Sequence, residues 1–228
     1  MSRRKKNVSD STLNTNNEFK ARSIGQADYL RAIIENTVTF CIGPAGTGKS
    51  YIGLGLAAQY LNEGKVNKII IARPTIEAAP KGIGFLKGNL DEKMAPWVLP
   101  AVEHLKRFLG KEAYGYYYNH EQIEFAPLEY MRGRTFLDAF IILEEAQNCT
   151  TEQLKMFVTR IGCNCKMVIN GDINQTDIKR QNSEFSTDLE YVISKVEKNN
   201  LSDFAVHELF EQDIQRSPII GPFLRIFK

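Results

Sequence analysis

The chain lacks any apolar run long enough to span a bilayer. Basic residues open it, but no apolar segment follows Arg3-Arg4-Lys5-Lys6, which excludes a secretory signal of the usual kind. Its four cysteines, Cys41, Cys149, Cys163 and Cys165, form no C-x-x-C pair. That argues against a zinc framework and for structural thiols in a reducing cytosol. No internal repeat is visible. A strong charge bias is also missing: 29 basic residues face 27 acidic ones. The first 22 residues carry a net +4, so the remainder is slightly acidic. The folded body is therefore not a broadly basic nucleic-acid binder, and such binding would rest on local patches or on the tail.

What is present suits one domain. The 228 residues are 43% apolar and 25% charged, ordinary values for a globular chain. Residues 1–20, rich in Ser, Thr, Asn and charge, are expected to form a disordered basic tail, leaving 21–228 as the folded domain. Apolar and β-branched runs predict strands at 37–42, 67–72, 122–127, 140–143, 166–170 and 204–209. Helical patterns lie at 24–34, 51–61, 91–109, 150–160 and 186–198, with a break or kink expected at Pro96 and Pro100. Residues 75–90, with three glycines and Pro80, read as a long loop, of a kind that in a compact domain is usually functional or mobile. Strands alternating with helices, some strands apolar throughout, predict an α/β fold. Its central sheet is mostly parallel and carries helices on both faces.

The most specific signal is Gly43-Pro44-Ala45-Gly46-Thr47-Gly48-Lys49-Ser50, which fits the phosphate-binding loop G-x-x-x-x-G-K-[ST] between a strand and a helix. Glycines let successive N–H groups converge on phosphate oxygens, and the following helix N-terminus favours an anion. Lys49 would reach the β/γ-phosphates and Ser50 would ligate Mg²⁺. Glu144-Glu145 follows the apolar strand ending at Leu143. Ligands of open α/β sheets sit at the carboxyl ends of strands, so both acids belong on the same rim as the loop. Phosphoryl transfer to water needs an acid beside the metal and a group that orients the water; Glu144 suits the first role and Glu145 the second. Gln147, Asn148 and Gly171-Asp172-Ile173-Asn174-Gln175 place further polar groups at neighbouring strand ends. Gln175 is the candidate for sensing the γ-phosphate, and ordinary turn chemistry is the plainer reading of that segment.

This set resembles the PhoH-like ATPases, a family similar to the N-terminal RecA-like domain of superfamily 1 helicases. The matching segments are Ile42–Ser50, Ala72-Arg73-Pro74 with Gly84-Phe85-Leu86, Asp91–Pro96, Tyr130–Thr135, Ile141–Asn148, Met156–Gly162 and Gly171–Gln175. The resemblance covers roughly residues 22–225 and implies a RecA-like P-loop core that binds ATP and Mg²⁺. It implies that Gln26 reads the adenine ring, completing a nucleotide set of Gln26, Gly43, Pro44, Ala45, Gly46, Thr47, Gly48, Lys49, Ser50 and Tyr51. It also matches Arg73, Arg132, Arg134, Arg160 and the C-terminal Arg216 to arginines of the family pattern. Three positions depart from that pattern: Glu144 stands where Asp is usual, Ser217 where His is usual, and Ser50 where Thr is commoner.

A monomeric superfamily 1 helicase uses two such domains, with ATP in the cleft between them, and this chain has room for one. An arginine finger would then act in cis or, as favoured here, in trans within a homo-oligomeric ring, with Arg160 or Arg216 as donor. The expected partner is RNA or single-stranded DNA, with helicase activity as one outcome. The run Tyr114-Gly115-Tyr116-Tyr117-Tyr118 would either stack bases or, more commonly for such clusters, pack a local loop. The Lys81–Lys87 loop and the basic tail could follow a phosphate backbone. Two other readings stay open: a nucleotide or small-molecule kinase, disfavoured by the absence of an arginine-rich lid, and an ATP-dependent binding module without turnover. Size and tail fit a cytoplasmic protein of a bacterium or phage.

Overall fold

The computed structural model describes residues 19–75, 90–177, 184–215 and 226, with backbone alone for 90–96. The expected tail up to residue 18 and the loop at 76–89 lie outside these residues. Phe19 and Lys20, assigned by sequence to the tail, touch the body. The Phe19 ring lies 5.8 Å from both Tyr51 and Phe108, and the Tyr51 hydroxyl donates to the Lys20 carbonyl.

The domain is built on a six-stranded sheet in the order β3-β2-β4-β5-β1-β6, parallel at every pairing. The strands are β1 (Val38–Ile42), β2 (Lys68–Arg73), β3 (Ile123–Pro127), β4 (Ala139–Leu143), β5 (Lys166–Gly171) and β6 (Phe204–Glu208). β4 is buried at every residue because both of its faces are covered, which is why its sequence is apolar without alternation. Alternate residues of each strand feed two separate cores. One joins Cys41, Ile69, Ile71, Phe140, Ile142 and Val168 to helices α1 (Ile24–Glu35), α2 (Lys49–Asn62), α3 (Leu90–Leu109) and α4 (Lys111–Asn119). The other joins Phe40, Ile70, Ile141, Leu143, Met167 and Ile169 to α5 (Thr151–Val158) and α6 (Asp188–Lys198). The sheet thus carries helices on both faces, the layering expected for an α/β chain.

Local chemistry fixes the helix starts. Ser23 caps α1 by accepting from the Gln26 amide, and Thr150 with Gln153 forms a reciprocal capping box at α5. Of the break or kink expected at Pro96 and Pro100, the break does not occur: α3 runs unbroken through both, although each proline removes one backbone donor. Its second half buries Leu105, Phe108 and Leu109 against the body, and that packing holds the helix together. The tyrosine run is helix α4, not a loop: Tyr114 is buried, Tyr117 donates to Asn62, and Tyr116 stacks on His120 at 4.1 Å.

The edge strand β3 is pinned by charge. The Arg134 guanidinium forks onto both oxygens of Glu124, at 2.5 and 3.0 Å, and Lys68 adds a contact at 2.7 Å. Burial pushes the Glu124 carboxyl up, but the hydrogen bonds from Arg134 and Lys68 outweigh it and leave it below its ordinary value. A lowered folded-state pKa stabilises above the unfolded value of about 4.3 and is lost as pH falls through the folded value. Glu124→Gln is therefore expected to cost about 1 kcal/mol at pH 7, since the groups are partly exposed, and the loss should shrink towards acid pH. Urea unfolding of both proteins at several pH values checks this; a loss independent of pH would count against it.

Candidate functional site

β1 ends at Ile42, and the chain turns through the phosphate-loop sequence into α2. Gly43 has φ 151° and Gly48 has φ 91°, in the region that favours glycine. A Cβ on Gly43 would collide with the Leu209 carbonyl, and one on Gly48 would lie 2.5 Å from the Gln26 amide nitrogen. Neighbouring elements fix the loop. Gly43 N–H donates to the Gly171 carbonyl (3.2 Å), Gln215 N–H to the Gly46 carbonyl (3.1 Å), and the Gln26 side chain to the Thr47 carbonyl (2.8 Å). The Lys49 ammonium donates to the Gly43 and Pro44 carbonyls at 2.5 and 3.0 Å, which holds it at the mouth of the loop.

Glu144 and Glu145 stand at the carboxyl end of β4. They share one cleft of about 520 Å³ with Gln26, Lys49, Ser50 and Gln175. The Ser50 hydroxyl donates to one oxygen of Glu144 (2.9 Å) and the Asn170 amide donates to the other (3.1 Å). Desolvation pushes the Glu144 carboxyl up to about 7, opposed by those two hydrogen bonds and assisted by the charge of Glu145. A hydroxyl and a carboxylate are hard oxygen donors, which suits Mg²⁺. That ion is commonly held by one or two protein groups, with waters and phosphate oxygens completing its shell. Among the described residues no cluster of three or more His, Cys, Asp and Glu side chains could hold a metal by itself.

Glu145 adopts a left-handed backbone, φ 57°, uncommon for a residue with a Cβ. The strand stops there and the chain enters the buried 3₁₀ turn Ala146–Asn148. Gln147 then links the strand ends. Its amide nitrogen donates to Glu145 (2.7 Å) and to the Gln175 carbonyl (3.1 Å), while its oxygen accepts from Asp172 N–H (2.9 Å). Arg73, at the end of β2, lies 4.0 Å from Glu145 and over the Trp97 ring at 5.8 Å.

The structure therefore brings together Gln26, Gly43 through Tyr51, Glu144, Glu145 and Gln175. Pro44, Ala45 and Gly46 form the bend of the loop. The Tyr51 ring, one residue into α2 from Ser50, lies 5.2 Å from the Arg22 guanidinium. Gln26 accepts from Arg22 N–H (2.9 Å) besides bracing Thr47, and its amide keeps one N–H and one lone pair beyond these bonds. Arg160 is not part of this group in its own chain. It binds the last turn of α5, donating to the Met156 carbonyl (3.1 Å) and to Thr159 (3.2 Å). Its own carbonyl receives Phe136 N–H, beside the start of β4 and away from the rim that carries the phosphate loop. Arg216 lies outside the described residues. Arg134 is engaged with Glu124, as described above. Sequence reading assigned no role to Asn170 and Gln215. Asn170 is the one polar side chain among the buried positions of β5, the signal that could have flagged it.

Gly48→Ala is expected to weaken nucleotide binding by at least about tenfold, because the added Cβ is strained and strikes the side chain that braces the loop. Titration with a fluorescent ATP analogue measures this, and wild-type affinity would contradict the geometry.

Among known proteins, the family model described as "PhoH-like protein" matches residues 18–228. A PhoH-like protein of Bacillus subtilis is 37% identical over 209 residues, which is 92% of this chain and 64% of that one. Protein PhoH of Escherichia coli is 44% identical over 162 residues, covering 70% of this chain and 46% of that one. The chain thus spans less than two thirds of the length of these relatives. In fold, it is similar to the large terminase of a thermophilic bacteriophage, with TM-score 0.55, 12% identity, and coverage of 90% of this chain and 50% of that one. A weaker likeness, TM-score 0.48 at 13% identity, covers 82% of this chain and 60% of the UvsW helicase from bacteriophage T4. With a parallel α/β sheet covered by helices on both faces and a phosphate-loop sequence between β1 and α2, this chain belongs to the PhoH-like protein family.

Proposed function

We propose that this chain binds ATP with Mg²⁺ and hydrolyses it, coupled to RNA or single-stranded DNA. The observation that carries the reading is the Ser50–Glu144 hydrogen bond. It unites the end of the phosphate loop with the acid of another strand, at the place where a cation beside the phosphates would lie. In this reading Ser50 and Glu144 hold Mg²⁺, which supplies charge neutralisation on the phosphates. Lys49 contacts the β/γ-phosphates, Gln26 reads the adenine edge with its remaining donor and acceptor, and Glu145 orients the attacking water.

Coupling to a polymer is supported by the strand-end linkage. Any shift of the Gly171–Gln175 turn reaches Glu145 through Gln147. A segment that feels bound nucleic acid could thereby gate the water-orienting carboxylate. Since Arg160 lies away from its own phosphate loop, an arginine contribution from that position belongs to a neighbouring subunit. A homo-oligomeric ring is part of this proposal.

ATP turnover measured with and without single-stranded RNA and DNA, against Lys49→Ala as blank, tests it. Stimulation by one polymer is expected. Turnover indifferent to both would move the reading towards a kinase or a protein substrate, and tight binding with no turnover would favour a binding module. Glu145→Gln is expected to lower turnover by about 10²–10³-fold with ATP binding retained. An unchanged rate would remove Glu145 from the water-orienting role.

A further inference from the structure

Behind the Ser50–Glu144 pair runs a directional chain of buried hydrogen bonds. Asn170, 1% exposed at the end of β5, donates its amide N–H to Glu144 at 3.1 Å. Its carbonyl oxygen accepts from the Tyr29 hydroxyl at 2.7 Å. Tyr29 lies on α1, fully buried, with its ring stacked on His207 at 5.7 Å and 13°.

This direction matters because the two ends of an asparagine amide are nearly the same shape. Rotated by half a turn, Asn170 would present its oxygen to the Glu144 carboxylate, acceptor against acceptor. The ionised carboxylate, which can only accept, selects the orientation in which the N–H meets it, and the Tyr29 hydroxyl, donating to the Asn170 oxygen, braces the amide in that orientation. Glu144 needs this support: a glutamate has one more rotatable bond than an aspartate, so its carboxylate is free to swing unless both oxygens are tied. Ser50 ties one and Asn170 the other.

We propose that Tyr29 is a positioning residue for the magnesium-side carboxylate, acting through Asn170. The inference rests on the reading of Ser50 and Glu144 as the groups that hold Mg²⁺. Partners that stand behind a metal ligand set its orientation, and losing one commonly weakens metal binding by about 10–100-fold.

The test separates the metal's contribution from nucleotide binding itself. Dissociation constants of a fluorescent non-hydrolysable ATP analogue are measured on the full chain in Mg²⁺ and in EDTA, and their ratio is compared. Tyr29→Phe removes only the hydroxyl. It is expected to reduce the Mg²⁺ enhancement by about tenfold, with the EDTA value and the thermal midpoint little changed. Asn170→Ala should do the same or more. Ile33→Val, which trims the buried face of α1 without touching the chain of hydrogen bonds, should leave the ratio alone. A wild-type ratio in Tyr29→Phe beside a reduced one in Ser50→Ala overturns the role of Tyr29. So would an equal loss in Mg²⁺ and EDTA, which marks a general packing effect. No change in Ser50→Ala overturns the underlying site assignment, and this inference with it. If Tyr29→Phe does not fold, Asn170→Ala decides the matter by the same ratio.

Discussion

The Glu144 carboxyl is half-buried in the cleft at the end of a wholly apolar strand, and much of the local structure can be understood as satisfying it. Taking an ionisable group partly out of water is costly unless its oxygens are hydrogen-bonded or it gives up its charge. Both responses are visible: Ser50 and Asn170 each donate to one oxygen, and the group is pushed up to about 7. The arrangement is adequate for a protonated or shared carboxyl and improves with a cation alongside. Packing has therefore created a place where positive charge is favoured before any ligand is considered.

The strand order makes this possible. β5 lies between β1 and β4, so the phosphate loop and Glu144 start from strands roughly 10 Å apart. Ser50 spans part of that distance from the start of α2, and Asn170, on the intervening strand, fills the rest. Gln147 does the equivalent for Glu145, joining the β4 turn to the β5 turn. The rim is thus a layer of side chains that ties successive strand ends together, with the strained Glu145 backbone held at its centre. Costs of order 1–3 kcal/mol for such backbone strain persist only where surrounding bonds over-determine the conformation, as they do here.

Much of this was legible in the residues. A fully buried parallel strand announces itself by unbroken apolar sequence, and a phosphate loop by glycines that no other residue can replace; β4 and Gly43–Ser50 were both readable for those reasons. Capping at Thr150 was equally plain, since its signal is local. What stayed hidden depends on tertiary partners. α4 was masked by tyrosines, whose weak helical preference is overridden by the burial of Tyr114. The persistence of α3 through two prolines is decided by its contacts with the body, not by its sequence. Tyr29, Asn170 and Glu144 lie far apart along the chain, and nothing in one dimension indicates that they meet. Arg160 matched a family arginine by position, yet its direction away from the cleft is a matter of topology that spacing alone does not carry.

The central claim is that one rim binds Mg·ATP between the phosphate loop and the ends of β4 and β5. Amide hydrogen exchange with and without Mg·ATP addresses it most directly. Protection concentrated at residues 43–51, 143–147 and 170–172 is the result this account requires. Protection centred elsewhere, or confined to the phosphate loop with no change at Glu144 and Asn170, would contradict it.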